Sequence, residues 1–222
     1  MANPVKSSSR TLSEFDSKER LASAGVPMGP EKLVETEEDA VQAAITFGFP
    51  VVAKLCGDAI AHKTERGLVK LNLRDPAAVR EAVCFLLSQA RPEDGMRGVL
   101  IAPMVAGTRE LIAGALIDPT FGKCIMLGIG GIFAEALADV AFRLVPLSAQ
   151  DAHDMIQDLH HQSWFTEFRG EPAVDEDHLV SILLGLSKAI ENADDILSID
   201  INPLMIHKGT PIAVDALVEV TA

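Results

Sequence analysis

The sequence predicts a mixed fold of α+β (mixed α/β) type, and three observations predict it. Apolar runs of strand length alternate with longer amphipathic stretches of helical period. Several strand runs follow one another directly, which a regular βαβ array does not do. Apolar content comes mainly from Ala, Val, Leu and Ile, with aromatics at 5% and no Tyr. At 222 residues and 48% hydrophobic, the chain can bury a real core, as one domain or two small lobes.

The elements follow in order. Residues 13–24 read as a helix, with Ser13 or Thr11 as cap, an apolar stripe of Phe15, Leu21 and Ala22, and Gly25 and Pro27 as the stop. Residues 35–47 form a second helix: Thr36 offers an N-cap, Glu37, Glu38 and Asp39 fill the first turn, and Gly48 and Pro50 close it. A short strand at 51–55 is followed by a polar loop and a strand at 68–73. Asp75 caps a helix over 76–90 that has Pro76 at its first position. Strands are expected at 99–105, 110–116, 123–127 and 142–145. Helices are expected at 148–159 and 175–192, the second carrying Leu179, Ile182, Leu183, Leu186 and Ile190 at helical spacing. Residues 196–218 read as a hairpin around Lys208-Gly209.

Composition excludes several classes. The net charge is −13 and the pI about 4.8, with no Lys/Arg stripe, so nucleic acid is not the expected partner. No apolar run approaches the ~20 residues of a membrane span, and the first ten residues lack the apolar core of a signal peptide. Cys56, Cys84 and Cys124 lie far apart without metal spacing and read as reduced buried thiols of a cytoplasmic protein.

The hairpin holds the most informative pair. If Lys208-Gly209 is a two-residue turn, His207 faces Thr210 and, in the same register, Asn202 faces Asp215. Residues directly opposite have Cβ atoms roughly 5 Å apart. An amide oxygen and a carboxylate so placed suit one hard cation such as Mg²⁺, with Asp200 on the same face. The alternative is a polar, wet face of a hairpin, and Pro203 and Pro211 can shift the register.

Other residues carry paired readings. Lys54 inside an apolar strand is either a phosphate contact in a cleft or a snorkelling residue on an edge strand. Gly128-Ile129-Gly130-Gly131 is either a backbone nest for an anion or a plain turn. Arg143 is a phosphate contact or a surface ion pair. His62 is a solvated loop residue or a phosphoryl acceptor, with Lys63 and Arg66 nearby to hold the group. Trp164 and Phe165 read as core or interface.

Taken together, Phe49 to Lys54, His62-Lys63-Thr64, Gly67 to Leu73, Asp118 to Gly122, Gly128 to Phe133, Phe142 to Leu147 and Ile201 to Leu204 with Asp215 come in the order of a known family. Over residues 12–220 the chain resembles the β subunit, or ATP-grasp domain, of ADP-forming acetyl-CoA and acyl-CoA synthetases, within the succinyl-CoA synthetase superfamily. The resemblance implies an ATP-grasp fold of two lobes with nucleotide held between them: after a disordered tail over 1–11, an N-terminal lobe with its leading helix over 12–105, and a C-terminal lobe over 106–222. It also implies ATP/ADP and Mg²⁺ as cofactors. Lys54 then corresponds to the lysine on the α/β-phosphates and Glu110 to the acid on the ribose hydroxyls. Ala102 to Met104 correspond to the hinge whose backbone meets adenine, and Gly130 and Gly131 to the phosphate loop, with Arg143 as a further phosphate contact. Asn202 and Asp215 match the Mg²⁺ ligands, and His62 the histidine that takes a phosphoryl group. The chain departs from the family at Pro103, which has no N–H for a base, and at Thr64-Glu65, where relatives often carry Ser-Asp.

The reaction implied is acyl-CoA, phosphate and ADP interconverting with acid, CoA and ATP. A CoA-binding Rossmann domain and a ligase domain with a mobile phosphohistidine do not fit in this length, so a CoA-binding α subunit or domain is the expected partner. The alternatives are a β subunit of succinyl-CoA synthetase type and a nucleotide-sensing module without turnover.

Overall fold

The computed structural model describes residues 9–60, 63–131 and 137–222. The elements run β1 (Ser9–Thr11), α1 (Glu14–Ser23), β2 (Lys32–Val34), α2 (Glu37–Phe47), β3 (Val51–Gly57), β4 (Val69–Leu73), α3 (Pro76–Ser88), β5 (Met96–Pro103), β6 (Arg109–Asp118), β7 (Gly122–Ile129), β8 (Val140–Leu144), α4 (Ala149–Asp158), α5 (Glu176–Glu191), β9 (Ile196–His207), β10 (Thr210–Ala213) and β11 (Leu217–Thr221). Two compact units result. One gathers Ser13–Asp16 and Gly29–Val105; the other gathers the described residues through Leu12, Ser17–Met28 and Ala106–Ala222. The sequence reading assigned residues 12–105 to one lobe, whereas Ser17–Met28, including most of α1, cluster with the later residues.

The smaller unit has a four-stranded sheet in the order β2-β5-β3-β4, antiparallel throughout. Its two helices form where their caps say they should. The Thr36 hydroxyl accepts from the Asp39 amide at 3.1 Å, and the Asp75 carboxylate from the Ala78 amide at 2.8 Å, with Pro76 at the first helical position. Each satisfies a donor that the helix leaves without an internal partner. Val79, Ala82, Val83 and Leu86 line one side of α3 and pack with Val51, Ala53, Leu55, Val99 and Ile101 of the sheet.

The larger unit has a seven-stranded sheet in the order β1-β11-β9-β6-β7-β8, with β10 beside β9. Alternate residues of β6 and β7 point to its core, Leu111, Ala113 and Ala115 with Ile125, Leu127 and Ile129; in β9 Ile199 and Ile201, then Leu204 and Ile206, do so on either side of Asn202-Pro203. The apolar stripe of α5 (Leu179, Ile182, Leu183, Leu186, Ile190) joins this core, so truncating Leu183 or Ile201 to Ala would cost about 2–5 kcal/mol. The residues between the buried ones lie on the other face, where Gly114 stands between Met126 and Asp200.

Two short strands escaped the sequence reading. Ser9–Thr11, expected in a tail, pair with Glu219–Thr221. All three are exposed, so backbone bonds alone add them to the sheet and no apolar alternation announces them. In β2 only Val34 is buried.

The hairpin turn is as expected. Lys208 and Gly209 both have positive φ, 51° and 88°, the type I′ combination that matches strand twist. A Cβ at Gly209 would meet the Ala173 carbonyl oxygen at 2.5 Å, so only glycine fits. The same turn is tied to α5, whose cap residue Asp175 donates its amide to the Gly209 carbonyl at 2.8 Å.

Candidate functional site

In the smaller unit, Lys54 lies in the interior of the sheet. It pairs with Leu100 of β5 on one side and Val69 of β4 on the other, so the edge-strand reading is excluded. Every other residue of β3 is buried. The Lys54 ammonium donates to Glu14 Oε1 at 2.6 Å, and Lys63 donates to Glu14 Oε2. Glu14, at the start of α1, has a side chain only 3% exposed. The sequence reading missed it, because an acid in a first helical turn is already explained by the helix dipole.

Arg66 was expected to stand near the phosphoryl acceptor. Its guanidinium grips Asp94 through two bonds of 2.7 and 2.8 Å. That fork holds the Asp94 carboxyl down to about 2, with burial opposing it. His62 lies outside the described residues.

At the expected hinge, Ala102 pairs with Val52 and Pro103 with Val51. The Met104 amide donates to the Pro50 carbonyl at 2.9 Å. With no N–H on Pro103 and that of Met104 already engaged, these two residues offer a base carbonyl oxygens rather than donors.

In the larger unit, Glu110, Gly130 and Gly131 come together. The Glu110 carbonyl accepts from the Gly130 amide at 2.8 Å and from Trp164 Nε1 at 3.2 Å. A Cβ at Gly130 would press on Leu111 and Glu110 backbone at 3.0 and 3.1 Å, and one at Gly131, whose φ is +82°, would lie 3.7 Å from Glu110 Oε2. Of the nest and turn readings, a nest loses the Gly130 amide: it extends the β6–β7 ladder to Glu110, and the glycine is there for close approach. Arg143 takes the surface-ion-pair reading, its guanidinium 2.5 Å from Asp158 Oδ2. Phe165 is buried in the core with Trp164 packed against it.

The hairpin keeps its register past both prolines. Ala213 faces Leu204, and further along Leu217 faces Asp200. The same count places Asn202 across from Asp215, in the break between β10 and β11, where the Val214 amide reaches the Pro203 carbonyl at 3.3 Å. The ladder between β9 and β6 also shifts at this level. Asp200 adjoins the pair: burial and then the negative charge of Asp215 push its carboxyl up. Among the described residues no group of three or more His, Cys, Asp or Glu is arranged to hold a metal. A carboxylate and an amide oxygen fit Mg²⁺, which binds few protein ligands and keeps the rest for water and phosphate.

Asp139 and Arg109 are two further polar centres that periodicity does not reveal. The Asp139 carboxylate, 1% exposed, accepts the amides of His160 and His161 at 2.9 Å each, with their Nδ1 atoms at 3.2 and 2.6 Å. Burial pushes that carboxyl up, but these four partners outweigh it and hold it down to about 2. Arg109, 2% exposed, donates to the carbonyls of Trp164, Thr166 and Pro172 at 3.0, 3.0 and 2.5 Å.

Comparison with known proteins gives this geometry its context. A family model described as an ATP-grasp domain matches residues 4–220. The β subunit of acetate–CoA ligase [ADP-forming] I from Pyrococcus furiosus is 36% identical over 96% of this chain and 93% of that one. The 4-hydroxybutyrate–CoA ligase [ADP-forming] of Nitrosopumilus maritimus is 37% identical over 89% of this chain, which spans 29% of that protein. Among solved structures, acetyl-coenzyme A synthetase 1 of Ca. Korarchaeum cryptofilum, with coenzyme A and Ca-AMPCP, superposes with a TM-score of 0.88 at 34% identity, covering 95% of this chain and 93% of that one. The same protein with coenzyme A and Mg-AMPPCP, its phosphohistidine segment pointing towards the nucleotide binding site, gives 0.82 at 33% identity over the same shares. The chain therefore belongs to the ATP-grasp family, in the branch formed by β subunits and domains of ADP-forming acyl-CoA ligases.

Proposed function

We propose that this chain performs the nucleotide half-reaction of an ADP-forming acid–CoA ligase, in which acyl-CoA, phosphate and ADP interconvert with acid, CoA and ATP. The observation that carries the reading is the facing of Asn202 and Asp215, held in register from a turn several residues away. In the larger unit these two would hold Mg²⁺, Glu110 would accept the ribose hydroxyls, and Gly131 would leave room for phosphate. In the smaller unit Lys54 would neutralise phosphate charge, and carbonyls around Ala102 and Met104 would meet the base. When bound, Mg²⁺ would supply charge neutralisation at the phosphates; phosphoryl transfer is otherwise mostly positioning and electrostatics. A neutral His62 imidazole would take the γ-phosphoryl group: a P–N bond forms as the bond to the ADP oxygen breaks. The group then passes to a histidine of a CoA-binding partner. Arg143, in a surface pair with Asp158, would reach phosphate only by exchanging that partner.

Support for a partner comes from the near-complete match to a protein that is itself a β subunit and the match to about a third of a longer ligase. The free cysteines suit a cytoplasmic setting, and among the described residues no helix is long and apolar enough to cross a membrane.

The test is phosphorylation with γ-labelled ATP and Mg²⁺, alone and with a competent partner, comparing the unmodified chain with His62→Ala. Acid-labile, alkali-stable label that disappears in the variant is expected. Label absent from both, with ATP still bound, would leave a nucleotide sensor or a succinyl-type subunit.

A further inference from the structure

Among the partners of the buried Glu14 carboxylate are two that chain order keeps well apart. Its Oε1 receives Lys54 from β3, 40 residues away, and its Oε2 receives Lys63 from the β3–β4 loop, 49 residues away. The lysine side chains are only 12% and 18% exposed. Two ammonium groups this close repel one another, and a buried charge without a partner is costly. One carboxylate with one oxygen for each lysine removes both problems. The start of α1 thus sets the place of both ammonium groups.

That arrangement does more than complement a helix dipole. An exposed acid at the same position would serve the dipole equally well, and Glu14 is instead buried with both oxygens engaged by cations. Lys63 follows His62 directly in the sequence, so the carboxylate ties the lysine of the strand to the loop that bears the proposed phosphoryl acceptor.

We propose that Glu14 is a positioning residue for phosphate recognition: it sets Lys54 and Lys63 beside one another so that the terminal phosphates of a nucleoside triphosphate meet both ammonium groups together. The proposal rests on the nucleotide reading above and adds a residue and a second lysine to it. Glu14 acts through the lysines and touches no reacting atom. Without its charge the lysines keep theirs but lose a shared position, so binding persists while transfer suffers.

The experiment uses the full chain and MgATP. In Glu14→Gln, acylation by an amine-reactive acetyl ester, read by mass spectrometry, should be at least fivefold faster at Lys63, with Lys32 and Lys208 unchanged. MgATP should shield both Lys54 and Lys63 in the unmodified chain and only Lys54 in the variant. Affinity for MgATP should change less than threefold, while transfer of label from γ-labelled ATP falls tenfold or more. Lys63→Met attacks the same contact from its other end. It should reproduce the loss of transfer, and adding Glu14→Gln to it should lower transfer less than twofold further, because the two changes break one linkage. Unchanged Lys63 reactivity, equal shielding in both proteins, or full multiplication of the two effects would overturn the role of Glu14. An unmodified chain that binds no MgATP would overturn the nucleotide reading itself, and with it the phosphate role. An unmodified chain that binds MgATP but takes no label would remove the His62 relay, and the shielding data would still decide Glu14.

Discussion

The amide of Gly130 donates to the carbonyl of Glu110 at 2.8 Å, so the glycine loop is fastened to the strand that carries the candidate ribose acid. An alanine at 130 would meet backbone at 3.0 Å and push the two apart. Gly130→Ala should cost about 1–3 kcal/mol of stability and weaken MgADP binding at least tenfold. Glu110→Gln, which leaves the backbone alone, should weaken binding with no loss of stability. Calorimetric titration beside thermal melting separates the two, and equal binding by all three proteins would remove the cluster from the site.

Asn202 and Asp215 make a separate prediction through the metal. Asp215→Asn and Asn202→Ala should each raise the Mg²⁺ concentration needed for half-maximal nucleotide binding by tenfold or more. Gln150→Ala, on the exposed face of α4, should leave it unchanged. Titrating Mg²⁺ at fixed nucleotide checks this, and an unaltered Mg²⁺ requirement would return the pair to the role of a wet hairpin face.

Asp139 sets an acid limit. Its carboxyl is held at about 2 in the folded chain, below the ordinary value near 3.9 of an unfolded one. Its contribution is therefore complete above about pH 4 and is lost as the pH falls towards 2, worth about 2 kcal/mol at neutrality. Asp139→Asn should lower the urea midpoint at pH 7, and the gap from the unmodified chain should narrow steadily below pH 4. A gap that stays constant down to pH 2.5 would mean that the carboxylate charge is not what matters.

Arg109 fastens residues 164–172 to β6 through three carbonyls. Arg109→Met fills similar space but takes the donor from those carbonyls and the cation from Glu171, and should lower stability by about 1–3 kcal/mol in all. Faster hydrogen exchange should appear first in residues 162–174. Because Trp164 also bonds the Glu110 carbonyl, the change should carry a secondary loss of nucleotide affinity.

The three thiols should react unequally. Cys56 and Cys124 are buried and Cys84 is exposed, which corrects the expectation of three buried thiols. Cys84 falls outside the Val79, Ala82, Val83, Leu86 stripe of α3. Burial pushes the Cys56 and Cys124 thiols up. One equivalent of a thiol reagent should add quickly at pH 8, all of it at Cys84, and the other two only on unfolding.

Much of this was legible in the chain, and the legible part was local. Thr36 and Asp75 announced helix starts because a cap acts within three residues. The Asn202–Asp215 facing could be counted out because a two-residue turn leaves no slack. What escaped was decided by distant or purely backbone contacts. Ser9–Thr11 joins the sheet without an apolar residue to show for it. Glu14 finds its lysines 40 and 49 residues away, and Arg109, just ahead of the strand expected at 110–116, drew no reading because its partners lie 55 to 63 residues on. The roles of Glu110 and the hinge came from family resemblance alone, and the hinge shows the limit of that transfer, since the Met104 amide is already engaged by Pro50.

The turn at Lys208-Gly209 has a reach beyond its two residues. The Asp175 amide bonds the Gly209 carbonyl and Ala173 leaves no room for a side chain there, so the start of α5 grips the point from which the register of β9 and β10 is counted. Because side chains alternate with a period of two, one residue inserted between His207 and Thr210 would swing Asp215 to the core face and turn Ala216 outward. The turn thus works as a gauge for the proposed Mg²⁺ pair. Loosening it, by lengthening the loop or by displacing the start of α5, should be felt as altered metal affinity with neither ligand changed.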